Sequence, residues 1–223
     1  TATAYDIYSN PVPGAVFTWN TNVGSITGGG LFTAQTIPGS GIVSATNGSI
    51  SKTAPVTVTV GGVDHIAIVP DPLTIAVGGT QLFTAVAYDY YNNVKPGVGF
   101  TWTADIGTIT AGGFFTAQTI PGFGHVRAAN GTVYKDVNVT VVHGPVSSIT
   151  VSPTPATVVV GELQAFTAIA FDQYYNPIPE AVFAWSTTVG TVNGTGMFTA
   201  QTTPGSGNVT ATSGLVSGSA SVT

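Results

Sequence analysis

Asp6 with Asn10, Asp89 with Asn93 and Asp172 with Asn176 write the same Asp-x-x-x-Asn element three times. Carboxylate and amide oxygens at that spacing are ligands a hard cation uses, and calcium is the ion to weigh first. One carboxylate per loop is thin for an ion that takes roughly six to eight oxygens. The alternative is structural: the Asp oxygen accepts backbone N–H groups, and the Asn steers the chain into the next strand. Asp6, Asp89 and Asp172 are therefore assigned as loop-fixing residues, with no metal and no cofactor expected. Asp64 and Asp71 add little, because Ser147 and Thr154 stand in their places one copy later.

Other residues of the right chemical type have the wrong spacing. Ser40 and Ser206 occupy Pro-Gly-Ser-Gly segments that suggest a nucleophile, yet Phe123 takes that position in the middle copy. They read as turn serines. His65, His125 and His143 fall at unrelated positions without metal-ligand spacing and read as surface residues. Glu162 and Glu180 are the only glutamates, and Gly79 and Gly97 replace them one copy earlier, so no acid and base pair recurs. Gly28 to Gly30 lacks the following helix that would present amides to a phosphate, and reads as a hairpin turn. No catalytic residue is assigned, and the chain is expected not to be an enzyme.

Two further groups carry surface chemistry. Asn47, Asn130, Asn138, Asn193 and Asn208 each begin an Asn-x-Ser/Thr sequon, an acceptor for N-linked glycan in an exported chain. Tyr8, Tyr90, Tyr91, Tyr174 and Tyr175 crowd the Asp-x-x-x-Asn loops. Their rings are suited to stacking on sugars or to packing against a neighbouring module or chain, and packing is the reading adopted.

All of these residues are set on a repeat. Trp19, Trp102 and Trp185 recur at a constant step of 83 residues, as do Phe32, Phe115 and Phe198, with no insertion or deletion. Self-similarity of that kind marks a series of like modules. Within each copy apolar residues alternate with polar ones, as in Phe166, Ala168 and Ala170 around Thr167 and Ile169. Period two reads as strands with one face buried. Phe, Trp, Ala and Val persist at the inward positions, whereas outward ones drift from Ile42 to His125 to Asn208. Trp19, Trp102, Trp185, Phe32, Phe115 and Phe198 are accordingly placed in the core.

Pro-Gly at Pro38, Pro121 and Pro204 and Asn-Pro at Asn10 and Asn176 punctuate the strands. About seven strands per copy suit an all-β fold of tandem immunoglobulin-like β-sandwiches joined end to end. In the third copy strands are expected near 149–151 with a continuation at 157–160, and at 163–171, 181–186, 190–192, 197–201, 207–211 and 217–222. The domains are repeat 1 at 1–62, lacking its first strand and the start of the second, repeat 2 at 63–145 and repeat 3 at 146–223. Short joints, such as Gly61-Gly62 and His143-Gly144-Pro145, leave no length for a flexible tether.

Composition narrows the partners. Only 6% of residues are charged, against about 25% in ordinary soluble domains. Four basic residues face nine acidic ones, for a net charge of −5, so no basic patch tracks phosphates and nucleic acid is excluded as a partner. No apolar run reaches a membrane span of roughly 18 residues. Any anchor or signal is expected outside this segment. Cysteine is absent, which rules out disulfides.

The segments "SPTPATVVVGELQAFTA", "AFDQYYNPIPEAVFAW", "GMFTA" and "NVTATSG" with the closing "SASVT" resemble bacterial Ig-like domains of the invasin and intimin class. That resemblance covers the whole chain and implies prokaryotic surface proteins: stalks, adhesins, surface layers and accessory modules. The expected function is a structural repeat segment of an extracellular cell-surface protein or filament, acting as a spacer. Its partners would be copies of itself or neighbouring repeats, and a glycan or surface receptor in the alternative adhesin reading. A third reading treats repeat 1 as a filament subunit completed by a strand donated from another chain; the plainer account of its missing strand is a window cut from a longer array.

Overall fold

The computed structural model describes all 223 residues, and every regular element is a β-strand. Repeat 1 contributes β1 (Thr18–Thr21), β2 (Gly24–Ile26), β3 (Phe32–Ala34), β4 (Gly39–Asn47) and β5 (Ile50–Val58). Repeat 2 contributes β6 (His65–Val69), β7 (Leu73–Ala76), β8 (Thr80–Leu82), β9 (Thr84–Tyr88), β10 (Thr101–Ala104), β11 (Gly107–Ile109), β12 (Phe114–Ala117), β13 (Gly122–Asn130) and β14 (Val133–Val142). Repeat 3 contributes β15 (Ser148–Ser152), β16 (Leu163–Ala165), β17 (Thr167–Phe171), β18 (Ala184–Thr187), β19 (Thr191–Val192), β20 (Met197–Thr199), β21 (Gly207–Ser213) and β22 (Val216–Val222).

Two compact units form. One comprises residues 1–69, 84–101 and 127–135, and the other residues 70–83, 102–126 and 136–223. Each therefore holds one terminal repeat together with part of the middle one.

Repeat 3 lies wholly in the second unit and gives the sandwich in full. One layer is β18-β21-β22, extended by a parallel bridge from Ala156 to Val222; the other is β15-β17 with β16-β20-β19. Between them Ile149, Val151, Phe166, Ala170, Phe198, Val209, Ala211 and Ala220 are buried. The alternation read from sequence produces this face, because successive residues of a strand point to opposite sides. Burying a large apolar side chain contributes about 1.5–3 kcal/mol. Phe166 and Phe198 meet edge to face at 6.0 Å, the geometry a ring quadrupole prefers.

The same unit holds β7 paired in parallel with β14, Leu73 opposite Val139 through Ala76 opposite Val142. It also holds β8-β12-β11. Phe83 and Phe115 pack edge to face at 5.9 Å. In the first unit β1-β4-β5 and the β2–β3 hairpin repeat the arrangement, and β6 pairs with β9.

Several expectations change in detail. The 163–171 strand is two strands, because the Phe166 N–H leaves the ladder and donates to the Gly196 carbonyl at 2.9 Å. Phe83 does the same to Gly113 at 2.8 Å. The 157–160 continuation forms no strand of its own; Ala156 and Val158 hold the chain end through bonds to Ser221 and Thr223. The strand expected at 181–186 begins only at Ala184. Ser40 lies inside β4, with its hydroxyl 3.4 Å from Thr57 Oγ1, rather than in a turn.

Candidate functional site

The Asp-x-x-x-Asn loops are the most organised polar feature of the molecule. In each, the Asp N–H donates to the Asn carbonyl at 2.9–3.0 Å. The turn needs one residue in the left-handed region: Ser9, Asn92 and Tyr175 have φ of 65°, 62° and 62°. Asp6 Oδ1 accepts the N–H groups of Tyr8 and Asn10, each at 2.9 Å. Asp89 Oδ1 accepts those of Tyr91 and Asn93 at the same distances. Asp172 Oδ1 accepts Tyr174 N–H at 2.9 Å and Asn176 N–H at 3.0 Å. Each Asn side-chain amide also donates to its Asp.

Two of the loops reach beyond their own repeat. Asp89 Oδ2 accepts the N–H of Gly61, in the joint, at 3.0 Å, and Asn93 Nδ2 donates to the Thr36 carbonyl of repeat 1 at 2.7 Å. Across the second joint Asp172 Oδ2 accepts Gly144 N–H at 3.1 Å and Asn176 Nδ2 donates to the Thr119 carbonyl at 2.8 Å. Asp89 and Asp172 are buried, while Asp6 is exposed.

The joints differ around this shared frame. Lys95 Nζ donates to the Gly61 carbonyl at 2.7 Å in the first. In the second, Ile178 takes the equivalent position and is buried, and His143 Nδ1 lies 3.3 Å from Glu180 Oε1.

Electrostatics follow from the donors. Side-chain donation from Asn93, then the Gly61 N–H, lowers the Asp89 carboxyl to about 2. Burial pushes Asp172 upward, but bonds from Asn176, Gly144 and Tyr174 outweigh it and leave the group below its ordinary value. Asp6 is lowered by the backbone and side chain of Asn10. Calcium suits these loops poorly, since four N–H groups already point at the Asp89 oxygens and a cation there would face hydrogens.

Other sequence candidates stay apart. His125 Nδ1 faces Asp105 Oδ2 at 3.3 Å and His65 Nδ1 faces Asp64 Oδ2 at 3.1 Å. Each histidine thus has its own acid, and no group of three or more possible metal ligands assembles. Phe115 and Phe198 are fully buried, whereas Phe32 and all three tryptophans are only partly so. Each indole rests on a glycine of the β2–β3, β11–β12 or β19–β20 turn, where a Cβ would lie 2.9, 3.3 and 2.9 Å from Trp19, Trp102 and Trp185. Tyr8, Tyr90 and Tyr175 are 78%, 76% and 81% exposed on the single chain, and Tyr90 meets Tyr91 edge to face at 5.2 Å. Tyr174 leans over Gly78 of the preceding repeat.

Gly61 and Gly144 were read from sequence only as short joints, and Thr36 and Thr119 were not singled out. A signal was present, since Gly61 and Gly144 are equivalent joint residues and Thr36, Thr119 and Thr202 share the Gln-Thr-x-Pro-Gly turn.

The architecture is that of tandem immunoglobulin-like β-sandwiches. The Escherichia coli adhesin FdeC has a similar structure, at TM-score 0.54 and 18% identity over 99% of this chain and 90% of that one. Domains 4–9 of the surface layer protein SbsC match at TM-score 0.36 and 19% identity, over 100% of this chain. The chain spans 42% of that SbsC segment. Invasin, a bacterial integrin-binding protein, matches at TM-score 0.48 and 16% identity over 95% of this chain and 52% of its own. The resemblance read from sequence thus extends to the fold, which the chain shares with FdeC. No protein-family model and no curated protein matches the chain.

Proposed function

We propose that the chain is a spacer segment of an extracellular surface protein, three Ig-like repeats divided at 62/63 and 145/146 whose task is to hold position rather than to transform a substrate. The carrying observation is the repeated joint. Gly61 to Asp89 and Asn93 to Thr36 recur as Gly144 to Asp172 and Asn176 to Thr119. A hydrogen-bonded clamp reproduced at both joints limits bending there, which a spacer needs and a catalyst does not. FdeC, an adhesin, lends support by fold alone.

The test is mechanical. In single-molecule stretching the chain should give successive unfolding events without prior compliant extension at the joints. Free extension through the joint residues at low force would overturn the spacer reading.

An adhesin reading draws on a separate observation, the exposed rings of Tyr8, Tyr90 and Tyr175, with Tyr90 set edge to face on Tyr91. Rigid amphipathic rings bind at low entropic cost. Changing Tyr90 and Tyr175 to Ala should abolish any signal on a glycan array while leaving the melting temperature unchanged. A wild-type chain silent on the array removes this reading.

A further inference from the structure

The five sequons are equal in sequence and unequal in structure. Asn47 and Asn130 end β4 and β13, and their side-chain amides are already committed, to the Val16 carbonyl at 2.7 Å and the Gly99 carbonyl at 3.0 Å. Asn138 lies within β14 and Asn208 within β21, the latter between β18 and β22. An enzyme that must draw the sequon backbone into its own cleft would have to strip ladder bonds at both.

Asn193 stands on the β19–β20 turn, and Asn193, Gly194 and Thr195 are all exposed. Its Oδ1 accepts three hydrogen bonds, from Thr195 N–H at 3.0 Å, Thr195 Oγ1 at 2.8 Å and Met197 N–H at 2.9 Å. Its Nδ2 makes no bond within the protein. Donors gathered on an amide oxygen draw electron density from the nitrogen and make its N–H more acidic.

The sister repeats separate structural need from chemistry. Thr27 and Thr110 occupy the equivalent position, and their hydroxyls accept Leu31 N–H at 3.1 Å and Phe114 N–H at 3.2 Å. Threonine therefore suffices for the turn. Only in repeat 3 does the turn read Asn-Gly-Thr, where the others read Thr-Gly-Gly and Thr-Ala-Gly.

We infer that Asn193 is the N-glycosylation acceptor of the folded chain, presented by its turn to an oligosaccharyltransferase. The donor is a lipid-pyrophosphate-linked oligosaccharide. Asn193 Nδ2 attacks the anomeric carbon, the carbon–oxygen bond to the pyrophosphate breaks, the lipid pyrophosphate leaves with the electron pair, and one amide proton passes to base. This goes beyond the spacer role and does not depend on it, because acceptor geometry is read on the isolated chain.

Purified oligosaccharyltransferase with Asn-x-Ser/Thr specificity and its lipid-linked donor would be offered the folded chain and the urea-unfolded chain, with sites mapped by mass spectrometry. The folded chain should gain one glycan, at Asn193, and the unfolded chain several. Asn193→Thr should eliminate transfer to the folded chain with an unchanged melting temperature, and Thr195→Ala should eliminate it too. A folded chain left bare at Asn193, or modified first at Asn138 or Asn208, would overturn the assignment.

Discussion

The side-chain amide of Asn93 donates at 2.7 Å to the main-chain carbonyl of Thr36, a residue 57 positions earlier and in the preceding repeat. The same amide donates to both oxygens of Asp89, so one side chain fixes its own loop and the joint together. Asn93→Asp would set carboxylate oxygens against the Thr36 carbonyl and the Asp89 carboxylate. Partly buried polar groups left unpaired cost about 1–3 kcal/mol. The variant should lose that much in denaturant melts and become cleavable by protease near Gly61. Asn10→Asp, at the exposed copy that bridges to no other repeat, should lose clearly less. Equal losses would show that the bridge to Thr36 contributes nothing.

Asp89 links the joint to pH. Its carboxyl sits at about 2 when folded and returns toward 3.8 when the chain unfolds. Between those values the unfolded chain binds the additional proton, so stability rises with pH. The contribution is complete above about pH 5 and fades as the pH falls through about 2. An NMR titration of the Asp89 carboxyl carbon should give a midpoint near 2. A midpoint at the ordinary carboxylate value would mean that the Gly61 and Asn93 bonds do not persist in solution.

How far the sequence could foretell this depends on which link is asked about. Period-two alternation marked Phe166, Ala168 and Ala170 as one inward face; Phe166 and Ala170 are buried, and Ala168 packs against the core they form. Local capping at Asp89 was legible, because carboxylate and N–H donors lie within a few residues. The reach from Asn93 to Thr36 was not, since alternation says which face a residue takes and nothing about which distant carbonyl it meets. Breaks at Phe83 and Phe166 were hidden for a similar reason: the carbonyls that draw their N–H groups away, of Gly113 and Gly196, belong to remote turns. The exposure of Tyr90 and Tyr175 on the single chain was hidden too, because aromatic character argues for burial, while the loops held by Asp89 and Asp172 turn these rings outward.

Gly113 tests the seat beneath the indole. Its φ is +82°, and an added Cβ would collide with the Phe83 carbonyl as well as approach Trp102. A left-handed non-glycine residue costs about 1–2 kcal/mol, and overpacking about 1–3 kcal/mol more. Gly113→Ala should therefore destabilise by about 2–5 kcal/mol in urea melts. Gly131→Ala, at φ +59° with open space around it, should show the backbone part alone. If the two cost the same, the glycine serves chain reversal only and the Trp102 contact is incidental.

The aromatic core gives the last prediction, and its value lies in comparing equivalent positions. Phe115 is fully buried against Phe83, whereas Phe32 is only partly covered. A cavity term accompanies truncation only where surroundings cannot collapse or admit water, so full enclosure sets the upper end of the cost. Phe115→Ala should cost about 3–5 kcal/mol, Phe198→Ala a similar amount, and Phe32→Ala distinctly less. Denaturant melts followed by tryptophan fluorescence would resolve the three, with variants carrying only Trp19, Trp102 or Trp185 assigning each transition to its repeat. A loss at Phe32 as large as that at Phe115 would mean that repeat 1 in solution closes over its own core, and would shift the burial argument from these strand pairings to another packing of the first repeat.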